Sequence, residues 1–256
     1  MTQGNGYDWQ LDAIRSYAEA IKVMREAFER ERLPGESARN GCGGPSAMNE
    51  ITYNIRAIET KYRGMRFRSR LEARWAAFFD LAGWHWEYEP FDLSGWVPDF
   101  LIRAPLLPPR KPVLVEVKPI LEMHEPTVKR IERAISASGL NYEALLLGSG
   151  IAADDAQRFA YVGWLGEHAL NFDGEPVGAL NFAPALLVDH SSLRACEESA
   201  RRCGPMTLDF YHEDGFFGCR MSGFYDGNTV ESHLAEYDDV QEYWGRAHAA
   251  TQYRPR

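Results

Sequence analysis

Three features are scarce in this sequence of 256 residues: cysteine, long apolar runs and an excess of positive charge. Four cysteines are too few for a disulfide scaffold at this length, which favours a reducing cytoplasm. No apolar run approaches the roughly 18 residues of a membrane span, and no basic segment precedes an apolar stretch near the first residue. We therefore expect no membrane association and no secretory signal. A net charge of −9 argues against a protein that coats nucleic acid, since such proteins are basic.

One stretch of this acidic chain is nevertheless locally basic. Between positions 56 and 70 a single acidic residue, Glu59, accompanies six basic ones: Arg56, Lys61, Arg63, Arg66, Arg68 and Arg70. Such a run is often a solvated surface held by ion pairs. It leads directly into a helix that carries Glu72, so a role in holding nucleic-acid phosphates is the second interpretation.

Hydrophobic periodicity predicts a regular order of elements in the middle of the chain. Residues 68–82 predict an amphipathic helix that begins at Ser69 as N-cap and ends at Gly83. Strands are predicted at 84–89, 95–103 and 113–118, and the third is rich in β-branched residues between two prolines. A helix at 125–139 and a short strand at 144–147 complete an α-β-β-β-α-β order, an α/β fold.

The flanking regions differ in composition from this core. Residues 7–33 predict a helix, and a stretch rich in Gly, Ser and Pro follows at 34–49. Short apolar runs at 159–190 predict either an extension of the sheet or a small β subdomain, and 231–249 predicts a helix. These shifts predict three regions: an N-terminal helix with a flexible linker (1–50), a core (51–150), and an α+β extension or subdomain (151–256).

Three charged side chains in the predicted strands are candidate catalytic or metal-binding residues. Asp99 follows Pro98 on an otherwise apolar strand, and Glu116 and Lys118 share one face of the next strand because they are two residues apart. Charged groups on a central strand are costly to desolvate unless they pair or bind an ion. Carboxylate oxygens suit Mg²⁺, which takes one or two carboxylates and keeps several waters. Taken singly, a Lys118–Glu116 pair and a turn position for Asp99 remain alternatives.

The arrangement resembles the PD-(D/E)xK nuclease superfamily, which has the restriction-endonuclease-like fold. The similarity lies in Pro98-Asp99, in Glu116-Val117-Lys118 and in the upstream acid Glu72, and it extends over about residues 60–150. More narrowly, FRSRLEARWAAFFDLAGW, YEP, VPDF and VEVK are similar to a group of phage and bacterial nuclease-like proteins. The resemblance implies a restriction-endonuclease-like α-β-β-β-α-β core with a mixed central sheet at 51–150.

The resemblance also implies roles for the matched positions. Asp99, Glu116 and the carbonyl of Val117 would bind Mg²⁺ or Mn²⁺, and Glu72 would complete the metal shell directly or through water. Lys118 would orient the attacking water or stabilise charge on the phosphate. We expect the arginines before and at the start of the helix to hold backbone phosphates of DNA. Those nucleic-acid-binding candidates are Arg63, Arg66, Arg68 and Arg70.

A second, weaker pattern lies in the C-terminal third. Its members are separated by six, eight and six residues, without the closely spaced cysteine pair of a structural zinc site. Buried free cysteines are therefore favoured and structural zinc is not expected. The candidate ligands are Cys196, Cys203, His212 and Cys219.

The leading hypothesis is a cytoplasmic, metal-dependent DNA endonuclease, structure-specific or associated with a mobile element. One alternative is an inactive nuclease-fold protein that binds DNA or a protein partner. Another is a structural or regulatory protein of a mobile element. A homodimer is plausible because cutting both strands at once needs two sites, and the helix at 7–33 is equally suited to an interface or to core packing.

Overall fold

The computed structural model describes residues 57–103, 112–154, 158–170, 176–189, 208–213, 219–221 and 233–252. All but Leu170 belong to one compact unit, formed by Arg56–Ala169 and Pro176–Arg256. The helix predicted at 7–33 and its linker lie outside the described residues, as do Cys196 and Cys203.

The first elements are a short hairpin and a helix whose ends are defined by local sequence. Strand β1 (Thr60–Tyr62) pairs antiparallel with β2 (Met65–Phe67), and helix α1 (Arg70–Ala82) follows. The Ser69 side chain accepts a hydrogen bond from the backbone N–H of Glu72, which satisfies one donor of the first turn. Gly83 ends the helix with φ of 79°, a left-handed conformation that glycine adopts without strain. Both predicted ends of this helix are confirmed.

A seven-stranded mixed sheet follows in the described residues, so the fold is α/β with a large mixed sheet. Its spatial order is the chain order: β3 (His85–Tyr88), β4 (Phe100–Arg103), β5 (Val113–Val117), β6 (Glu143–Ala153), β7 (Ala160–Leu170), β8 (Pro176–Asp189) and β9 (Leu208–His212). Strands β5 and β6 are parallel, because helix α2 (Glu125–Ser138) carries the chain back between them. The pairs β3–β4, β4–β5, β6–β7 and β8–β9 are antiparallel.

Helices cover both faces of the sheet. Alternate residues such as Val113, Val115 and Val117 pack with α1 and with helix α3 (Tyr237–Ala250), where the rings of Trp75 and Trp244 lie 4.5 Å apart. The opposite residues, including Leu101 and Leu114, pack against α2. Strands β4 and β5 therefore have two buried faces, which explains their nearly continuous apolar sequences.

The strand predicted at 95–103 begins later, at Phe100. Leu93 and Trp96 exchange two backbone hydrogen bonds around Ser94 and Gly95, whose φ angles are both positive (52° and 85°). This is the geometry of a two-residue hairpin turn, in which Gly is favoured. Pro98 has no N–H to donate, so regular pairing starts only beyond it.

The sheet also continues across residue 151. Strand β6 extends to Ala153, well past the predicted strand at 144–147, and β7 and β8 add to the same sheet. Of the two interpretations of residues 159–190, the extension of the sheet is the one observed. Among the described residues, no helix is long and apolar enough to cross a membrane.

Candidate active site

Three neighbouring strands present acidic residues at the same end of the sheet. Phe100 of β4 pairs with Val115 of β5, so the next position places Asp99 opposite Glu116. On the other side, the backbone N–H of Glu89 donates to the carbonyl of Asp99 at 3.0 Å, directly after β3. The antiparallel register of β3, β4 and β5 thus gathers Glu89, Asp99 and Glu116 side by side. We call these residues, together with Glu72, the carboxylate cluster.

Asp99 lies at the centre of the carboxylate cluster and is only 3% exposed. Its carboxylate accepts one hydrogen bond from the backbone N–H of Val117 at 2.7 Å and another from the Arg68 guanidinium at 2.5 Å. Burial, and then repulsion from Glu116, raise the pKa of Asp99 to about 7, although the Val117 N–H and Lys118 favour the charged form. Near neutral pH this carboxyl group is therefore poised between its two protonation states.

Glu116, 2% exposed, receives donors from three directions. The indole N–H of Trp96 donates to Oε2 at 2.7 Å, while Lys118 Nζ lies 2.6 Å from Oε1. The Arg130 guanidinium of α2 contacts the same Oε1. The Lys118–Glu116 proximity agrees with the shared strand face predicted from their spacing. Lys118 Nζ also donates weakly to the Val117 carbonyl, at 3.4 Å.

Glu72 joins the carboxylate cluster from α1. Its carboxylate accepts hydrogen bonds from the hydroxyl groups of Ser69, at 2.8 Å, and of Tyr88, at 2.5 Å. Ser69 and Glu72 thereby form a variant of the capping box, with Glu72 at the third helical position. Burial, and then the hydrogen bond to Glu72, raise the pKa of the Tyr88 hydroxyl, so it remains a donor. Glu72 has a capping role in addition to any role in the site.

Arg68 connects the acids of the carboxylate cluster. Its Nε lies 2.8 Å from Glu89 and 4.0 Å from Glu72, while the other end of the guanidinium contacts Asp99. Burial alone would lower the pKa of Arg68, but attraction from Asp99 and its neighbours outweighs burial and raises it. The Arg68 side chain is 57% exposed, so it can leave the acids without a large loss of burial.

The other predicted phosphate-binding arginines do not join Arg68. Arg63 follows β1 and lies 3.0 Å from Asp80 near the end of α1, and Arg66 pairs with Glu59. Arg70 begins α1. Arg63 and Arg66 fit the alternative interpretation of a solvated basic surface.

Three residues of the site do not emerge from the sequence prediction as participants: Tyr88, Trp96 and Arg130. The sequence leaves Glu89 able to reach the metal site, although a solvent-facing edge position is the favoured interpretation, and Tyr88 ends the same aromatic strand. Trp96 is aimed at Glu116 by the Ser94-Gly95 turn, and that dipeptide is a turn signal. Arg130 had no sequence signal, because its contact depends on how α2 packs on the sheet.

Two members of the predicted zinc pattern, His212 and Cys219, lie among the described residues, and both are buried. His212 of β9 is buried, with Nε2 3.1 Å from the carbonyl of Asn181 and Nδ1 3.6 Å from Glu167. Cys219 is buried. Arg220, beside it, is also buried and contacts Glu143 and Glu167.

The donor set of the carboxylate cluster consists only of oxygen atoms, which fits a hard divalent cation. In the described part of the chain, no three His, Cys, Asp or Glu side chains are grouped closely enough to form a metal cage. An ion of the Mg²⁺ type takes one or two carboxylates and completes its shell with water and phosphate oxygens, so Asp99 and Glu116 are the residues that could hold one.

Comparison with family models, with curated proteins and with solved structures found no match for this chain.

Proposed function

We propose that this protein is a nuclease of the restriction-endonuclease-like fold that hydrolyses phosphodiester bonds of DNA with Mg²⁺ or Mn²⁺. The observation that carries the proposal is the position of Asp99 opposite Glu116, both buried. Lys118 directly follows the same strand, β5, and contacts Glu116. The order α1-β3-β4-β5-α2-β6 agrees with the core order of that fold.

Each residue has a distinct role in this proposal. Asp99 and Glu116 would hold the divalent ion, and Glu72 would act through a water because its oxygens are engaged by Ser69 and Tyr88. A bound divalent ion lowers the pKa of water and neutralises charge on the phosphate. The Lys118 side chain, 35% exposed, can turn from Glu116 toward a phosphate oxygen and the attacking water.

Two arginines contact the carboxylates that would hold the divalent ion. Arg68 and Arg130 contact the carboxylate oxygens of Asp99 and Glu116, and both side chains are more than half exposed. A divalent ion that bound the same oxygens would replace their contacts. The buried contacts, from the Val117 N–H and the Trp96 indole, keep the carboxylates in place.

A second candidate function is a nuclease-fold protein that binds DNA or a protein without cutting. One observation favours it: all four carboxylate oxygens of Asp99 and Glu116 already have a protein donor. A fully paired network of this kind stabilises a fold without any ion.

A cleavage assay separates the two functions. The protein is incubated with plasmid, branched and single-stranded DNA in Mg²⁺, in Mn²⁺ or with chelator. A nuclease cuts at least one substrate only with metal, and Asp99→Ala and Lys118→Ala abolish the cleavage. Asp238→Ala and Lys129→Ala are matched controls, since Asp238 is exposed in the first turn of α3 and Lys129 forms a surface pair with Glu125. DNA binding without cleavage by the wild type would refute the enzyme.

A further inference from the structure

A second group of charged side chains lies between α1 and α3, outside the carboxylate cluster. Arg70 and Arg74 are one turn apart on α1, and His248 lies in the last turn of α3. We call these three residues the basic cluster. Arg70 and Arg74 each stand two residues from Glu72, about 200° around the helix from it. They therefore face away from the carboxylate cluster.

The acids of the described residues do not neutralise the basic cluster. Within the described ranges, no carboxylate lies at ion-pair distance from Arg70, Arg74 or His248, whereas Arg63, Arg66 and Arg68 all have acidic partners. The Nε atoms of Arg70 and Arg74 are buried without a hydrogen-bond partner. Unpaired guanidinium groups are notable in a chain with 37 acidic residues.

The packing of α3 on α1 brings the three groups together. The Arg74 guanidinium lies over the Trp244 ring, and His248 is one turn beyond Trp244 on α3. The charge of Arg74 is the main cause that lowers the pKa of His248, followed by burial and by Arg70. The positive charges of Arg70 and Arg74 therefore disfavour the protonated form of His248, and an anion placed among the three groups would favour it.

The positions of Arg70 and Arg74 do not stabilise helix α1. A cation at the first position of α1 opposes the helix dipole, which favours negative charge there. Like charges four residues apart on a helix are destabilising by a few tenths of a kcal/mol, about 0.2–0.5. Arg74 is nevertheless held in place, because its guanidinium carbon lies 5.3 Å from the centre of the Trp244 ring. The Trp244 ring in turn packs against Trp75.

We propose that Arg70, Arg74 and His248 form an anion site that binds a backbone phosphate of the nucleic acid. Two guanidinium groups at the start of a helix offer several N–H donors, and phosphate oxygens accept them. The site makes a contact apart from the carboxylate cluster and needs no divalent ion. The proposal rests on the proposed function only in naming nucleic acid as the source of the phosphate.

Binding in chelator tests this inference apart from cleavage. Fluorescence anisotropy measures the affinity for a short single strand and the corresponding duplex across a salt series. Arg74→Gln is expected to weaken binding about three- to tenfold at low salt and to lower the salt slope by about 1. Arg74→Lys retains the charge and is expected to keep most of the slope. Arg103→Gln is the matched control, because Arg103 lies in a surface pair with Glu87.

NMR of the His248 ring supplies a readout that a merely structural role would not move. Addition of the oligonucleotide is expected to raise the pKa of His248 in the wild type, and by less in Arg74→Gln. Inorganic phosphate at equal phosphate concentration serves as the comparison. If free phosphate shifts His248 and the oligonucleotide does not, the ligand is a free phosphate and the inference is wrong.

The outcomes separate this inference from the proposed function. Binding that depends on Arg74, with no cleavage, supports the anion site and refutes the nuclease. Cleavage and binding that are both indifferent to Arg74→Gln refute the anion site and leave the nuclease standing. A wild type that neither binds oligonucleotide nor shows a response at His248 refutes the anion site as well.

Discussion

Asp99→Asn is expected to change how stability depends on pH in the absence of metal. The pKa of Asp99 is about 7 in the folded protein against 3.8 for an ordinary aspartate. The folded state therefore binds this proton more tightly than the unfolded state does. Asp99 favours folding in acid, and its contribution is lost as the pH rises through about 7. Asparagine has no such titration but can still accept the hydrogen bond from Val117.

The size of the effect follows from the two pKa values. Between pH 5.5 and 8.5 the protonation of Asp99 changes the free energy of unfolding by about 2 kcal/mol. The largest contribution of this proton, reached when the pH lies below both pKa values, is about 4 kcal/mol. The free energy of unfolding of Asp99→Asn, relative to that of the wild type, should therefore rise by about 2 kcal/mol from pH 5.5 to pH 8.5. In a protein of this size that corresponds to about 4–8 °C in Tm. Any pH-independent loss cancels in this comparison.

Chemical denaturation in chelator at several pH values measures the difference. Asp80→Asn is the control variant, since Asp80 is half-buried and hydrogen-bonded to Tyr62 and Trp86 outside the carboxylate cluster. The pH-dependent change specific to Asp99 is the change in the free energy of unfolding seen for Asp99→Asn minus the change seen for Asp80→Asn. A difference between Asp99→Asn and wild type that stays constant from pH 5.5 to 8.5 would refute the reasoning. Excess Mg²⁺ at pH 8.5 should stabilise the wild type by about 1.4 kcal/mol, if the ion is at tenfold its dissociation constant, and leave Asp99→Asn unchanged.

Three further substitutions test other contacts. Arg130→Gln removes a cation from Glu116 and is expected to tighten Mn²⁺ binding about three- to tenfold, as measured by electron paramagnetic resonance. Tyr88→Phe removes the hydroxyl donor of Glu72 and is expected to cost about 1.5–3 kcal/mol in denaturant unfolding. Arg220→Met leaves two buried carboxylates on β6 and β7 without their cation, and is expected to cost about 3–5 kcal/mol by the same measurement.

Each of these substitutions has a control in the same protein. Arg133→Gln changes another arginine of α2, one without a contact to Glu116, so equal Mn²⁺ affinities of Arg130→Gln and Arg133→Gln would contradict the first expectation. Tyr142→Phe removes the hydroxyl of a half-buried tyrosine outside the site, and a loss as large as that of Tyr88→Phe would contradict the second. Arg103→Met breaks an exposed pair expected to contribute less than about 1 kcal/mol. If Arg220→Met costs no more than that, the third expectation is wrong.

The boundaries of α1 and the composition of the central strands are determined by local sequence. Ser69 and Gly83 delimit the helix through short-range hydrogen bonds and one left-handed glycine, which need no tertiary partner. The spacing of Glu116 and Lys118 fixes their shared face, since side chains on a strand alternate with period two. The basic residues at 56–70 are equally visible in the sequence, but their charges alone do not distinguish a surface held by ion pairs from a binding site.

Only the tertiary structure decides what those residues contact. The position of Asp99 opposite Glu116 depends on the register of β4 and β5, which the sequence of either strand alone does not specify. The contacts from Trp96 and Arg130 require a turn and a helix to pack over the same strand end. The basic cluster is likewise a product of folding, because Arg74 and His248 are 174 positions apart and meet only through the packing of α1 on α3. Short-range geometry is written in neighbouring residues, whereas register and helix packing depend on the whole core.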